Sequence, residues 1–175
     1  MRSHSFLQGP VCLIALVACL ATPLDATTQK QLSGKDLVAD ADLIVVGRCT
    51  EAVSRWHGRA LVTEATVVIE EALSGRATQT ITVLIPGGVD RSRAVPIAVT
   101  VPGAPSLLPG ESFLLFLDRV PEGAGYSVVG LSQGAFPLLR QGERRMVSRT
   151  RGQVRDGLPL DQVKRWIADN SRTER

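Results

Sequence analysis

Short runs of apolar and β-branched residues, divided by glycine and proline turns, fill the middle of this 175-residue chain. Residues 43–49 form one such run, which is too short for a stable helix and typical of a buried strand. Residues 61–73 alternate between two faces with the period of a strand. A turn at residues 57–59 joins the two runs, so they predict an antiparallel hairpin. The pattern limits the chain to mainly β folds.

The strand pattern continues toward the C-terminus. Residues 112–117 are apolar on both faces and predict a central strand, whereas Pro96 places its own run at a sheet edge. Six or seven strands at hairpin spacing, with little helix between them, indicate a closed barrel or a sandwich. The further predicted strands cover residues 80–85, 95–101, 126–131 and 135–139.

Two short helices are predicted at the ends of the strand-rich region. Residues 35–41 form the first candidate, with Ser33 as its N-cap. Apolar residues at i, i+3 and i+4 predict an amphipathic C-terminal helix over residues 159–171. We expect this helix to pack Trp166 on the barrel.

Positive charge is concentrated after residue 139. From residue 140 onward there are nine Arg and one Lys against five acidic residues, so residues 140–158 are predicted to form a basic linker behind a β-barrel domain of residues 27–139. Trp166 is the only aromatic residue in this tail, and no interleaved aromatic pattern for stacking bases is present. We therefore interpret the tail as a solvated basic face and predict no nucleic-acid partner.

The N-terminal residues 1–26 have the pattern of a secretory signal peptide. Arg2 precedes an apolar run over residues 11–20, whose ten residues fall within the roughly 7–15 of a signal core and short of the roughly 20 of a membrane span. Cleavage after Ala26 predicts a periplasmic or secreted protein. The alternative is lipidation at Cys19 within a lipobox over residues 16–19, which predicts a membrane-anchored lipoprotein.

Few residues after the signal could carry catalysis or bind a metal. His57 is the only histidine there, and Cys49 is the only cysteine and lies in a strand-like run that favours a buried apolar role. Glu70 and Glu71 are adjacent in a predicted strand and so point to opposite faces. The sequence therefore predicts no catalytic, metal or cofactor site, and a protein that is not an enzyme.

Several motifs in fixed order resemble a family of uncharacterised exported bacterial proteins. More distantly, the order of a strand with A-D-x-I-V-x-G, a hairpin and a strand with G-E-x-x-L-x-F-L is similar to the netrin-like domain, which includes the tissue inhibitors of metalloproteinases. This resemblance implies an OB-like barrel, closed or partly open and antiparallel, with a β-sandwich as the alternative. The motifs are ADLIVVGR at residues 41–48, IPGG at 85–88, PGE at 109–111, FLLFL at 113–117 and VVGLSQG at 128–134.

We expect function to depend on surface residues at the loops of the barrel. The candidate binding surface comprises Trp56, His57, Ser132 and Gln133, although the favoured interpretation of Gln133 is that it satisfies backbone groups beside a bulge at Gly134. The leading expectation is an exported, non-catalytic protein-binding module of unknown partner, for which the resemblance implies a secreted protease as one candidate. The inhibitors ligate zinc through an N-terminal cysteine, and a chain that begins at Thr27 lacks it. The alternatives are an envelope-associated structural protein or lipoprotein and, third, a hydrolase built on His57.

Overall fold

Strands make up the larger part of the structure, a computed structural model that describes residues 31–121, 125–149 and 157–171. The expectation of a mainly β fold is confirmed, while the predicted signal peptide and Cys19 lie outside the described residues. Two helices, α1 (Gly34–Ala39) and α2 (Leu160–Ser171), flank the strands, and a 3-10 turn covers Leu131–Gly134. The strands are β1 (Leu43–His57), β2 (Ala60–Ser74), β3 (Thr80–Pro86), β4 (Gly88–Asp90), β5 (Ile97–Val99), β6 (Ser112–Arg119), β7 (Tyr126–Val128), β8 (Ala135–Gln141), β9 (Arg144–Val147) and β10 (Leu158–Pro159).

Five strands form a ring in the order β1, β2, β3, β7, β6 and back to β1. All neighbours are antiparallel except β3 and β7, which run parallel and share the single residue pair Val83 and Tyr126. A ring with an odd number of strands cannot alternate direction all the way round, so one parallel pair is unavoidable. The OB-like, partly open barrel is confirmed, as a mixed sheet instead of the expected antiparallel one.

Strand β1, which has 15 residues like β2, is shared between two neighbours in the ring. It pairs with β2 along its length and with β6 over Leu43 to Arg48, and three register shifts bend it. At Gly47 the backbone of β2 comes so close that a Cβ would lie 2.7 Å from Val67 Cγ1 and 2.9 Å from the Val68 carbonyl oxygen. Glycine is the residue that fits this bend.

Two apolar cores lie on the two faces of the sheet, one inside the barrel and one beneath the helices. The alternation of β6 shows the division, since Phe113, Leu115 and Leu117 belong to the barrel core while Leu114 and Phe116 pack under the helices. The prediction that residues 112–117 are central is confirmed, because β6 pairs with β1, β7 and β8.

Helix α1 begins with a complete capping box. Ser33 Oγ accepts a hydrogen bond from the Asp36 backbone N–H at 3.2 Å, and Asp36 Oδ2 accepts one from the Ser33 N–H at 2.8 Å. The predicted cap at Ser33 is confirmed.

Helix α2 packs differently from the expectation. Ile167 and Leu160 are its buried residues, whereas Trp166 remains 37% exposed. The Trp166 indole lies against Gly34 of α1, where a Cβ would be 2.8 Å from Cη2. The expectation that Trp166 packs on the barrel is therefore corrected, because Ile167 takes the position that faces the sheet.

The predicted linker over residues 140–158 contains regular structure, so the expectation is wrong for its described part. Strand β8 extends to Gln141, a turn follows, and β9 pairs back onto β8. Strand β10 then pairs with β9 through Leu158 and Val147. The basic residues concealed this hairpin, because Arg144 is exposed and Arg145 half-buried in the first half of β9, while Met146 and Val147 are buried.

Candidate functional site

The small sheet of β4 and β5 is tied to the outer half of the β1–β2 hairpin by three polar contacts. The Val89 N–H donates to Ser54 Oγ at 3.0 Å, and Thr63 Oγ1 donates to the Gly87 carbonyl at 2.8 Å. At Gly88 the backbone has φ of 148°, and a Cβ would lie 2.3 Å from Ser54 Oγ. Only glycine permits this approach of β4 to β1.

The third contact joins Trp56 of β1 to Asp90 at the end of β4. The indole Nε1–H donates to Asp90 Oδ2 at 2.8 Å, while Oδ1 accepts from the Ser92 N–H at 2.9 Å and the Ser92 hydroxyl at 2.6 Å. These donors, first the Ser92 hydroxyl and then the indole, lower the pKa of Asp90 to about 2, and Arg93 lies 3.5 Å away. Asp90 is therefore ionised at neutral pH and holds Trp56 in place.

A groove of about 650 Å³ lies beside this small sheet. Its walls come from β1, from β4 and β5, and from the loop that precedes β6. Among the described residues, Arg91 is the only charged side chain that lines it, and no aromatic residue or histidine does so. Most of the lining is small or uncharged: Ala52, Val53, Ser54, Thr63, Ile85, Pro86, Gly87, Gly88, Val89, Ala98, Val99, Thr100, Val101, Ala104, Pro105, Ser106, Leu107 and Leu108.

Exposed large apolar side chains gather around the groove. Among the described residues seven are exposed, and two of these, Leu158 and Trp166, belong to the region of β10 and α2. The other five lie on the small sheet, on the connection between its strands, on the groove wall or against Asp90. We call them the mouth surface: Trp56 at 41% exposure, Val89 at 40%, Val95 at 76%, Val99 at 38% and Leu108 at 45%.

Of the residues predicted for binding, Trp56 belongs to the mouth surface and His57 does not. His57 ends β1 instead of lying in the turn, and its Nε2 is 2.8 Å from Glu64 Oε1. Arg55 Nε is 3.2 Å from the other oxygen of the same carboxylate. Neighbouring strand residues point to opposite faces, which separates His57 from Trp56.

His57 and the turn at Leu131 line a second cleft of about 360 Å³, which shares Pro86 and Pro105 with the groove. Leu131 has φ of 59°, an uncommon conformation for a large side chain. Of the described residues, no second histidine and no carboxylate line this cleft. It therefore adds apolar surface beside the groove.

Ser132 and Gln133 lie in the 3-10 turn that follows Leu131. The Ser132 N–H donates to the Gly103 carbonyl at 2.9 Å, and Gln133 Oε1 accepts from the Leu32 N–H at 2.7 Å. Gln133 thus satisfies a backbone group, as the favoured interpretation predicted. Gly134 ends a 3-10 turn and does not form the expected bulge. Neither residue lines the groove.

The remaining reactive side chains are occupied elsewhere. Cys49 is fully buried, and this burial raises the pKa of its thiol. Glu70 pairs with Arg145 and Glu71 with Lys164 of α2, on opposite faces of β2 as expected. In the part of the chain that the structure describes, no three His, Cys, Asp or Glu side chains are grouped to hold a metal ion.

Most residues that form the groove and hold the small sheet were not predicted from the sequence. Strand β4 is only three residues long, and Ser54, Thr63 and Asp90 are unremarkable in the sequence taken alone. The available signals were the Pro-Gly-Gly at residues 86–88, which permits close backbone approach, and the apolar Val95 beside Pro96 in an otherwise polar connection.

Comparison with known proteins identifies no relative: no family model, no curated protein and no solved structure matches the chain. Neither helix in the described residues is long and apolar enough to cross a membrane.

Proposed function

We propose that the protein is an exported, non-catalytic module that binds another exported protein through its mouth surface. The observation that carries this proposal is that three of the seven exposed large apolar side chains of the described residues, Val89, Val99 and Leu108, line one groove, while Val95 and Trp56 lie on the segments beside it. Contiguous apolar patches on soluble domains mark interaction sites. A polypeptide is the favoured partner class, since four of the five mouth-surface residues are aliphatic and the fifth, Trp56, is hydrogen-bonded to Asp90.

The chemistry of the groove supports a non-catalytic role. Its hydroxyl groups include Ser54 and Thr63, which lie 3.1 Å apart and hold the small sheet. No histidine or carboxylate among the lining residues could act as a base toward them. The groove therefore offers shape, apolar contact and one positive charge.

Affinity capture from the culture fluid or envelope extract of the source cells tests the proposal, with Val95→Asp and Leu108→Asp as disruptive variants. Both side chains are exposed, so the substitutions leave the cores intact. We expect the wild type to retain a stoichiometric partner and each variant to bind it at least tenfold more weakly. Leu158→Asp is the matched control, since Leu158 is 53% exposed and lies away from the groove.

The proposal fails if the wild type retains no stoichiometric partner, or if both mouth variants bind as tightly as the wild type. Unfolding curves of each variant must match the wild type before binding is compared. The resemblance to the netrin-like domain further suggests a secreted protease, and the identity of the captured partner tests that part.

Export is the part of the proposal that rests on residues 1–26. Mass spectrometry of the protein purified from its native cell fraction tests it directly. We expect an N-terminus at Thr27, and an acylated Cys19 would instead support an anchored lipoprotein. An intact Met1 in protein recovered from the cytoplasm would overturn export.

A further inference from the structure

We propose that the partner contributes an extended segment that pairs as an added strand with the open edge of β5 and places a carboxylate at Arg91. This inference rests on the proposed function and specifies how the partner is recognised. Among the described strands β5 pairs only with β4, so one of its two edges is in no sheet. Strand addition at such an edge is a common mode of peptide recognition.

The direction of the backbone groups identifies the residue that would form the pairing. Val89 lies opposite Ala98, yet the Val89 N–H donates to Ser54 and so points away from β5. In an antiparallel ladder both residues of such a pair turn their N–H and C=O outward. The N–H and C=O of Ala98 therefore face the open edge.

A contact at Gly87 independently indicates that the Ala98 carbonyl group faces the open edge. A Cβ at Gly87 would lie 2.5 Å from the Val99 carbonyl oxygen, so this carbonyl faces the chain that leads into β4. Successive residues of a strand turn their carbonyl groups to opposite sides. The carbonyl of Ala98 must then face away from β4, and Ala98 is itself exposed.

The open edge of β5 is preorganised for binding. Ser54, Thr63 and Trp56 fix the small sheet to β1 and β2, so little conformational freedom remains to be lost on binding. Small residues along the groove, among them Ala98 and Ala104, allow a second backbone to come close.

Charge selects the chemistry of the added strand. Arg91 is the single charged side chain that the described residues place on the groove wall, and the neighbouring Arg93 is paired with Asp90 at 3.5 Å. An apolar segment with one acidic group would bring a carboxylate to Arg91, and a guanidinium binds a carboxylate in bidentate geometry. The expected partner segment is thus extended, mainly apolar and singly acidic.

Fluorescein-labelled heptapeptides of alternating Val and Thr, with one Asp moved through the seven positions, test the inference by fluorescence anisotropy. The peptide that binds most tightly is then N-methylated in two versions, one at its odd-numbered and one at its even-numbered residues. If it adds as a strand, one version (one parity) loses the N–H groups that face β5, and the other loses those that face solvent. We expect one parity to weaken binding at least tenfold and the other to change it less than twofold. Equal effects of both parities would overturn strand addition.

Arg91→Gln should weaken the Asp peptide about tenfold and leave its Asn counterpart unchanged. Arg93→Gln is the matched control, because Arg93 does not line the groove, and we expect it to leave both peptides unchanged. An Asp peptide that binds Arg91→Gln as tightly as the wild type would overturn the role of Arg91.

If no heptapeptide binds, hydrogen exchange on the complex with the captured partner decides the question. We expect the Ala98 amide to become protected by at least tenfold. A captured partner that is lost with Val95→Asp but leaves the Ala98 amide unprotected would overturn strand addition while the proposed function stands. If neither a peptide nor a partner binds, both are overturned.

Discussion

Asp90 shows how single residues position the mouth surface. Its carboxylate joins Trp56 on β1 to Ser92 and Arg93 on the connection after β4, and therefore links residues from two parts of the chain. The donors around it favour the ionised form, which lowers its pKa. Loss of the negative charge should therefore loosen the attachment of the small sheet.

The pH dependence of Asp90→Asn tests this role. The pKa of Asp90 is about 2 in the folded protein and 3.8 ordinarily, so its stabilisation is complete above about pH 4 and is lost as the pH falls to about 2. We expect the difference in unfolding free energy between wild type and variant to be constant above pH 4 and to shrink below it. Urea unfolding at a series of pH values measures this difference.

Trp56→Phe provides a control for that measurement. It removes one donor to the carboxylate, so the pH range over which stability falls should move upward, toward pH 4. A difference between wild type and Asp90→Asn that stays constant down to pH 2 would contradict the assignment.

Cys49 offers a second test at the scale of the residue. Its Sγ lies 3.4 Å from the Glu51 carbonyl oxygen and 3.7 Å from that of Leu107, without solvent exposure. Thiolate is the reactive form, and burial both raises the pKa and blocks access. We expect iodoacetamide to leave Cys49 unmodified in the native protein. It should label Cys49 in about 6 M guanidinium, a concentration that unfolds most small domains.

Peptide mapping by mass spectrometry reads the label at Cys49 separately from the two cysteines of residues 1–26. Labelling of native protein as fast as that of unfolded protein would show that the site is open. A reactive role for Cys49 would then have to be considered.

At the scale of the element, helix α2 is attached to the sheet mainly through two buried side chains, Ile167 and Leu160. Ile167 is fully buried in the core beneath the helices, with Leu160 and Val163 in the same cluster. Lys164 adds an ion pair to Glu71 of β2. Since exposed or half-exposed ion pairs contribute little, the apolar contact should dominate.

Truncation of α2 side chains tests whether apolar contact contributes more to stability than the ion pair of Lys164. We expect Ile167→Ala to lower the free energy of unfolding by about 2–5 kcal/mol, because it leaves a cavity between helix and sheet. Lys164→Ala should cost less than about 1 kcal/mol. Thermal and urea unfolding measure both, and a larger loss for Lys164→Ala than for Ile167→Ala would contradict the apolar attachment.

At the scale of the whole molecule, the barrel closes unevenly. Strand β1 joins β6 through a six-residue register, whereas β3 meets β7 at one residue pair, Val83 and Tyr126. The seam between β3 and β7 is therefore the weakest contact in the ring. Local opening of a fold begins where few backbone hydrogen bonds and few buried contacts hold it.

Native-state hydrogen exchange should locate this seam. We expect the amides of β7 to exchange at least tenfold faster than those at the centre of β6, because β7 is held by one residue pair to β3 and three to β6, whereas the centre of β6 is paired on both sides. Equal protection in β7 and β6 would show that the ring opens only by global unfolding.

Local signals in the sequence were sufficient for the elements with strong periodicity. The β1–β2 hairpin, the central position of β6 and the capping box at Ser33 were predicted because alternation, two-faced apolar runs and cap residues act within a few positions. The buried role of Cys49 followed from the same reasoning. Strand β9 was missed because its two arginines conceal a pair of buried residues.

Closure of the ring and construction of the mouth surface were decided only by tertiary structure. Trp56 and Asp90 are 34 positions apart, and β3 meets β7 across the whole segment that contains β4, β5 and β6. No local preference specifies such partners, because the pairing that forms is the one that buries the most apolar surface over the entire sheet. The sequence determined which segments become strands and which faces they bury; the fold decided which strands meet and which apolar side chains stay exposed around the groove.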